Sequence, residues 1–313
     1  MGFYRQGLLI VNNKLRSCSR SIFTISQTVS ICNALERTRD KFEKSNIPES
    51  DVSSKFLLSQ VLGETNPKGY LNHQDRLLQS GELVELNRLI SCRLARVPVQ
   101  YIAGTWDFRQ ICLKVRPPVF IPRTETEQLV DIVLDNLPKK ENIRILEIGP
   151  GSGNICLSLL KERNNLTVTA LERSRLAAEL TRENAVNLGL DSRLNVVEMR
   201  VDDETVIEEK FDLVVSNPPY VLRKDMRNLE PEISLYEDLR ALDGGAEGLD
   251  VILSILKVAG QVLPMGGEVY LEIDPCHSSL LPDHLDSLPH KFILKQVYKD
   301  FLDKDRFIRL TKL

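Results

Sequence analysis

"IRILEIGPGSGNICLSLL", from Ile143 to Leu160, decides how this chain folds. Its first six residues are mostly isoleucine and leucine, the pattern of a buried strand. A Gly-x-Gly-x-Gly loop follows, and then a helix from Asn154 to about Arg163. Strand, tight glycine loop and helix in that order form the opening unit of an open α/β sheet. Downstream the same alternation repeats. "LTVTALERS" reads as a second strand, "RLAAELTRENAVNLGL" as a helix, "RLNVVEMR" as a third strand and "FDLVVSNPPY" as a fourth. "VILSILKVAGQVLPMGG" is a helix and "EVYLEID" a fifth strand. "KFILKQVYKD" and "RFIRLTKL" should close the chain as a hairpin. The expectation is an α/β fold, a Rossmann-like doubly wound parallel sheet with right-handed crossovers, spanning 123–313.

Upstream the period is helical. Residues 31–98 are expected to form a small all-helical domain. "ALERTRDKFEKSNIPESD" stops near Pro48, "VSSKFLLSQVLG" ends at Gly63, and "GELVELNRLISCRLARVPVQ" puts Leu83, Leu86, Ile90 and Leu94 on one face. Between the two domains, loose alternation of Tyr101, Ile102, Trp106, Phe108, Ile111, Leu113 and Val115 predicts a β-hairpin linker over 99–122. Thr124 and Glu127 have the spacing of a helix capping box.

The first 30 residues differ again. No Asp or Glu occurs from Met1 to Ala34, while Arg5, Lys14, Arg16 and Arg20 are scattered among apolar residues and serines. That composition predicts a mitochondrial transit segment over 1–30, and so a matrix location. The 313 residues are 42% hydrophobic and 27% charged, with a net charge of −3. A mildly acidic chain argues against broad nucleic-acid binding. Six cysteines without C-x-x-C spacing predict reduced thiols and no metal site. No apolar run has the length of a membrane span.

Glu147, Gly149, Pro150, Gly151, Ser152 and Gly153 occupy the first strand tip and its loop, where open α/β sheets bind ligands. The glycine spacing is not that of a dinucleotide fold. It suits a nucleoside carrying an amino-acid tail, whose charged groups meet backbone amides and a nearby acid. Glu172 ends the second strand, where a carboxylate can accept both ribose hydroxyls.

The fourth strand ends in Asn217, Pro218, Pro219 and Tyr220. Two prolines cannot donate to a sheet ladder, so they end the strand and stiffen the backbone. Asn217 offers a side-chain carbonyl and Pro218 a rigid main-chain carbonyl. Two such acceptors can grip both hydrogens of a planar –NH2 group. They would hold its nitrogen against a methyl donor and stabilise the positive charge that develops. Tyr220 supplies a flat wall beside it.

Asn-Pro-Pro-Tyr with the glycine loop resembles the class I S-adenosylmethionine-dependent amino-methyltransferases. "FIPRTETEQL", "PVQYIAGTWDF", "YEDLRALDGGAEGLDVI" and "YLEIDPCH" are similar to segments of the HemK/PrmC release factor glutamine methyltransferases. With the N-terminal composition, the resemblance is to the mitochondrial branch. It implies S-adenosyl-L-methionine as donor. It implies as acceptor the glutamine N5 of the Gly-Gly-Gln motif in mitochondrial peptide-chain release factors, with the helical domain helping to dock them. Asn217, Pro218, Pro219 and Tyr220 would bind that glutamine, with Arg123 and Glu125 lining or bracing its pocket. Where the family has an adenine-holding acid after the third strand, "MRVDDE" puts Arg200 or Val201, and Asp202 only with a shift of register. Thr124 replaces the family's usual proline, and Glu147 its common aspartate. A monomer without stable nucleic-acid or membrane partners is expected. Two other readings stay open on the residues alone: an adenine-N6 DNA or RNA methyltransferase, and a non-catalytic methyltransferase-like assembly factor.

Overall fold

A computed structural model describes residues 22–24, 28–64, 68–74 and 76–313. Most of the expected transit segment lies outside the described residues. Among the described residues no helix is long and apolar enough to cross a membrane. They form two compact units. One runs up to Gly104 and also takes in Pro231–Tyr236; the other comprises Thr105–Glu230 and Glu237–Leu313.

The first unit is helical. Helices α1 (Ile31–Lys44), α2 (Ser50–Val61), α3 (Ser80–Leu94) and α4 (Val99–Ala103) are joined by a short helix, Pro231–Tyr236, from much later in the chain. In α1 the buried residues are Ile31, Ala34, Thr38 and Phe42, one face at helical spacing. Ser30 caps it by accepting the Asn33 N–H. Gly63 ends α2 at φ +79°, a conformation that favours glycine. In α3 Leu83, Leu86 and Ile90 are buried as expected, and Leu94 is only half-buried. Phe23 is buried and donates its N–H to Asn87 Oδ1, and Val29 is buried too. These residues from the expected leader are therefore part of the helical core.

Arg93 is also buried, which its position gives no reason to expect. Its guanidinium donates to Ser53 Oγ, Pro48 O and Glu232 Oε1, the last at 2.7 Å. Arg96 reaches the same carboxylate oxygen at 3.2 Å. Tyr236 donates its hydroxyl to Ala95 O. The short helix is held in this unit by these three contacts. Tyr101 and Ile102 lie in α4 rather than in a strand, because Pro98 starts a turn of helix that Gly104 ends at φ +76°.

The second unit opens with the hairpin β1 (Thr105–Phe108) and β2 (Ile111–Lys114), shorter than expected. Arg109 at its tip donates to Glu162 and pairs with Asp131. It also takes Glu127, through the Arg109 N–H, so the expected capping box at Thr124 does not form. Helix α5 (Glu125–Asp135) follows. The main sheet then uses β3 (Ile143–Ile148), β4 (Leu166–Glu172), β5 (Leu194–Glu198), β6 (Leu213–Ser216), β7 (Glu268–Glu272), β8 (Phe292–Lys299) and β9 (Asp305–Lys312).

The strand order is β5-β4-β3-β6-β7-β9-β8. The first five pair parallel; β9 runs antiparallel to β7, and β8 to β9. The order reverses between β3 and β6, so their carboxyl ends flank the crevice where such sheets bind ligands. Alternation decides the two cores. Ile143, Ile145, Leu213 and Val215 pack on the face of α5 and α6 (Asn154–Glu162), while Leu146, Ile148 and Val214 face α8 (Asp250–Val262). Between them in sequence, α7 (Arg175–Leu188) packs on the edge strand β5 and on its neighbour β4. Helix α9 (His277–Leu285) was not legible in the sequence. Pro282 inside it and a mostly polar composition hide its buried stripe of His277, Leu281 and Leu285.

Candidate active site

The loop after β3 turns on three glycines with positive φ: Gly149 at +74°, Gly151 at +61° and Gly153 at +89°. A Cβ on Gly149 or Gly151 would meet nothing within 4 Å, so backbone conformation and open space above the loop both mark these positions. A Cβ on Gly153 would come within 2.8 Å of Leu157, so that glycine serves close packing of the helix start. Pro150 is buried between them, and Ser152 is buried with its hydroxyl unpartnered.

Two carboxylates lie under this loop. Glu172, at the β4 tip, accepts the Gly151 N–H at 3.1 Å and the Ser174 N–H at 2.7 Å. Burial pushes its pKa up, opposed by those two hydrogen bonds. Glu147, at the β3 tip, is fully buried. Its Oε2 accepts the Cys156 N–H at 3.0 Å, while Oε1 has no partner. Burial raises its pKa to about 7. A buried, unpartnered acceptor beneath an open glycine loop fits the ammonium of an amino-acid tail, and Glu172 keeps lone pairs for a ribose diol. These residues therefore fit S-adenosylmethionine. Asp202 lies past the β5 tip, where its carboxylate accepts the Thr205 hydroxyl and the Glu204 N–H of its own turn.

The second cluster stands at the tips of β6 and β7. Ser216 donates to Ile148 O at 2.6 Å, tying the β6 end to the β3 end. Asn217 donates its Nδ2–H to Thr126 Oγ1 at 3.0 Å. Thr126, in the first turn of α5, donates its hydroxyl to Glu272 Oε2 at 2.7 Å. Tyr220 donates its hydroxyl to Glu272 Oε1 at 3.0 Å. Thr126 and Glu272 are 0% and 1% exposed. Burial raises the pKa of Glu272, and it also raises that of the Tyr220 phenol. Asn217 Oδ1 and the Pro218 carbonyl accept no hydrogen bond among the described residues. Two neighbouring acceptors are thus left to a ligand, which suits the two hydrogens of one amide nitrogen.

The backbone of this tip is packed from behind. Val221 exchanges hydrogen bonds with Leu242 O and the Gly244 N–H. A Cβ on Gly244 would lie 2.8 Å from Pro219 O, and one on Gly248 would lie 2.5 Å from Tyr220 O. His277 donates its Nε2–H to Glu247 O, 2.8 Å away, while its Nδ1 accepts the Asp274 N–H, and so holds the outer part of that loop. Pro219 serves this packed backbone.

Arg123 does not reach the cluster through a hydrogen bond. Its guanidinium pairs with the buried Glu237 at 2.7 Å and lies over the Phe120 ring. Glu237 also accepts the Ile121 N–H, so the pair braces the entry to α5. Glu125 is half-buried in the first turn of α5, and its charge acts on Glu272. Thr126 and Glu272 were missed in the sequence. The usable signal was an acid closing the apolar "EVYLE" strand, since a buried carboxylate needs partners.

Comparison with known proteins bears on most of the chain. Residues 113–232 match the methyltransferase small domain and residues 33–104 the PrmC N-terminal domain. The "MTRF1L release factor glutamine methyltransferase" of Homo sapiens is 40% identical over 287 residues, 87% of this chain and 84% of its own length. The release factor glutamine methyltransferase of Geobacter sulfurreducens is 35% identical, over 78% of this chain and 84% of its own length. That of Deinococcus radiodurans is 31% identical, over 89% of this chain and 97% of its own length. With the class I sheet order, the open glycine loop and the two unpartnered acceptors at the β6 tip, these likenesses establish that the chain belongs to the S-adenosylmethionine-dependent release factor glutamine methyltransferases.

Proposed function

We propose that this enzyme methylates the side-chain amide nitrogen, N5, of the glutamine in the Gly-Gly-Gln motif of mitochondrial peptide-chain release factors. It works in the matrix, as a monomer, in support of translation termination. The observation that carries the reading is the pair of unpartnered acceptors, Asn217 Oδ1 and Pro218 O, beside a loop suited to the donor. The acid-free N-terminus supports the compartment. Ile22 donates its N–H to Asn87 and Phe23 is buried in the helical unit, so the leader is taken to end ahead of Ile22. The helical unit is taken as the docking domain for the release factor.

Glu147, Gly149, Pro150, Gly151, Ser152, Gly153 and Glu172 are assigned to the donor, with Asp202 at the edge of its adenine end. When bound, the donor would supply an electrophilic methyl group on a sulfonium, and would keep the electron pair of the broken S–CH3 bond on sulfur, leaving as a neutral thioether. An amide nitrogen is a weak nucleophile because its lone pair is delocalised. Asn217 and Pro218 hold both of its hydrogens and so fix the direction of that lone pair. As the nitrogen takes the methyl group, positive charge grows on the hydrogens they hold, and the two carbonyl dipoles stabilise it. One proton then leaves to water, restoring a neutral amide. Tyr220 walls the glutamine, and Arg123 and Glu125 support the pocket from the α5 entry.

The test is methyl transfer from labelled S-adenosylmethionine to a mitochondrial release factor, its Gly-Gly-Gln→Gly-Gly-Ala version, and a DNA or RNA control. Label on the first alone is expected. Label on nucleic acid would replace this reading with the adenine one.

A further inference from the structure

We infer that Thr126 and Glu272 are positioning residues that decide which end of the Asn217 carboxamide faces the substrate. The inference rests on the proposed amide acceptor and deepens it. An asparagine side chain is nearly symmetric in shape, and either end fits the same space. Only the oxygen end can grip an –NH2 group; the nitrogen end would point two hydrogens at two hydrogens. Something must choose.

The choice follows from counting protons along the chain. An ionised carboxylate only accepts. Glu272 therefore takes the Tyr220 proton on Oε1 and the Thr126 proton on Oε2. Thr126 has one hydroxyl proton, and it is now spent on Glu272. Its oxygen can serve Asn217 only as an acceptor, so Asn217 must turn Nδ2 inward. Oδ1 is left facing out. The polarity begins at Glu272, in β7, and ends at the reacting nitrogen, although Glu272 touches no substrate atom.

Burial of Thr126 and Glu272 keeps water from substituting for a missing link. The charged and titratable groups acting on Glu272 are Tyr220 from the β6 tip, Arg306 from β9 and Glu125 from α5. Arg306 favours the carboxylate and Glu125 opposes it. Arg306 is itself held by Asp300 and by Ile273 O. If Glu272 takes a proton, it can donate to Thr126. The Thr126 proton is then free to turn to Asn217, and the carboxamide can reverse. Acid should thus reduce turnover even with donor saturating.

The experiment measures donor Kd and kcat against pH on a Gly-Gly-Gln release factor for the wild type, Thr126→Val, Thr126→Ser and Glu272→Gln. Thr126→Val keeps the shape and deletes the link. It should lower kcat about 100-fold with donor Kd within about twofold. Thr126→Ser restores the hydroxyl and should keep kcat within about fivefold of wild type. The acid limb of the wild-type kcat profile should vanish in Thr126→Val and in Glu272→Gln, and Glu272→Gln should lose about tenfold in kcat. Equal losses in the valine and serine variants would mean packing alone, and would overturn the inference. If Thr126→Val fails to bind donor, Glu272→Gln decides: wild-type kcat with the acid limb intact overturns the inference. A wild type that binds donor but leaves the glutamine unlabelled defeats the proposed acceptor and this inference together. An active wild type beside an unaffected Thr126→Val defeats this inference alone.

Discussion

The donor loop and the amide grip stand side by side at one end of the sheet, yet they are held in opposite ways. In the donor loop every carboxylate contact is short in sequence. Glu172 accepts from Ser174 and Gly151, 2 and 21 residues away, and Glu147 from Cys156, 9 away. In the grip the separations are 91, 146 and 52 residues, for Asn217 to Thr126, Thr126 to Glu272 and Tyr220 to Glu272. Backbone amides that come with a β-strand–loop–helix unit build the first. Side chains from α5, β6 and β7 build the second, and these meet only once the sheet is complete. The donor loop is therefore a local device, tolerant of what surrounds it. The grip depends on the whole second unit.

Breaking the grip should have the largest effect. Asn217→Ala removes one of the two acceptors and should lower kcat on the order of 1000-fold, with donor Kd changed less than about twofold. Equilibrium donor binding alongside single-turnover transfer checks it. A matching rise in donor Kd would mean that the two devices are not separate.

Next in size is a pH effect on stability confined to the donor side. Glu147 has its pKa raised from 4.5 to about 7 by burial. The folded chain thus binds more protons than the unfolded chain between those values. Its stability contribution is full below the unfolded pKa and is lost as pH rises through the folded one. The donor-free wild type should lose up to about 3 kcal/mol between pH 4.5 and 8 from this group. Glu147→Gln should lack that slope. Urea unfolding at a series of pH values measures it, and equal slopes in the two proteins would remove Glu147 from the account.

The smallest effect sharpens the comparison. Glu172→Gln keeps one acceptor oxygen and cannot serve both Gly151 and Ser174 as the carboxylate does. It should weaken donor binding about tenfold while leaving kcat at saturating donor nearly unchanged. Titration of the donor by calorimetry, with kcat measured in parallel, tests this. A fall in kcat without weaker binding would show that the loop also shapes the reacting geometry.

The helical unit shows the same division between near and far. The apolar stripes of α1 and α3 were legible from periodicity. Arg93 was not, because its partner Glu232 lies 139 residues on. A charged residue on a helix reads as exposed until something distant comes to meet it.

Taken alone, the sequence determined the strand–loop–helix alternation, the glycine positions, the acids at the first two strand tips and the Asn-Pro-Pro-Tyr tip of the fourth strand. It could do so because those features are set by dihedral preference and by periodicity over a few residues. Only the tertiary structure decided that Thr126 and Glu272 join Asn217, that Arg123 braces Glu237, and that Pro231–Tyr236 belongs with the helices. Each of these is a buried polar group finding its partner across the fold. Desolvation makes such partners obligatory, but their identity depends on which elements the topology brings together.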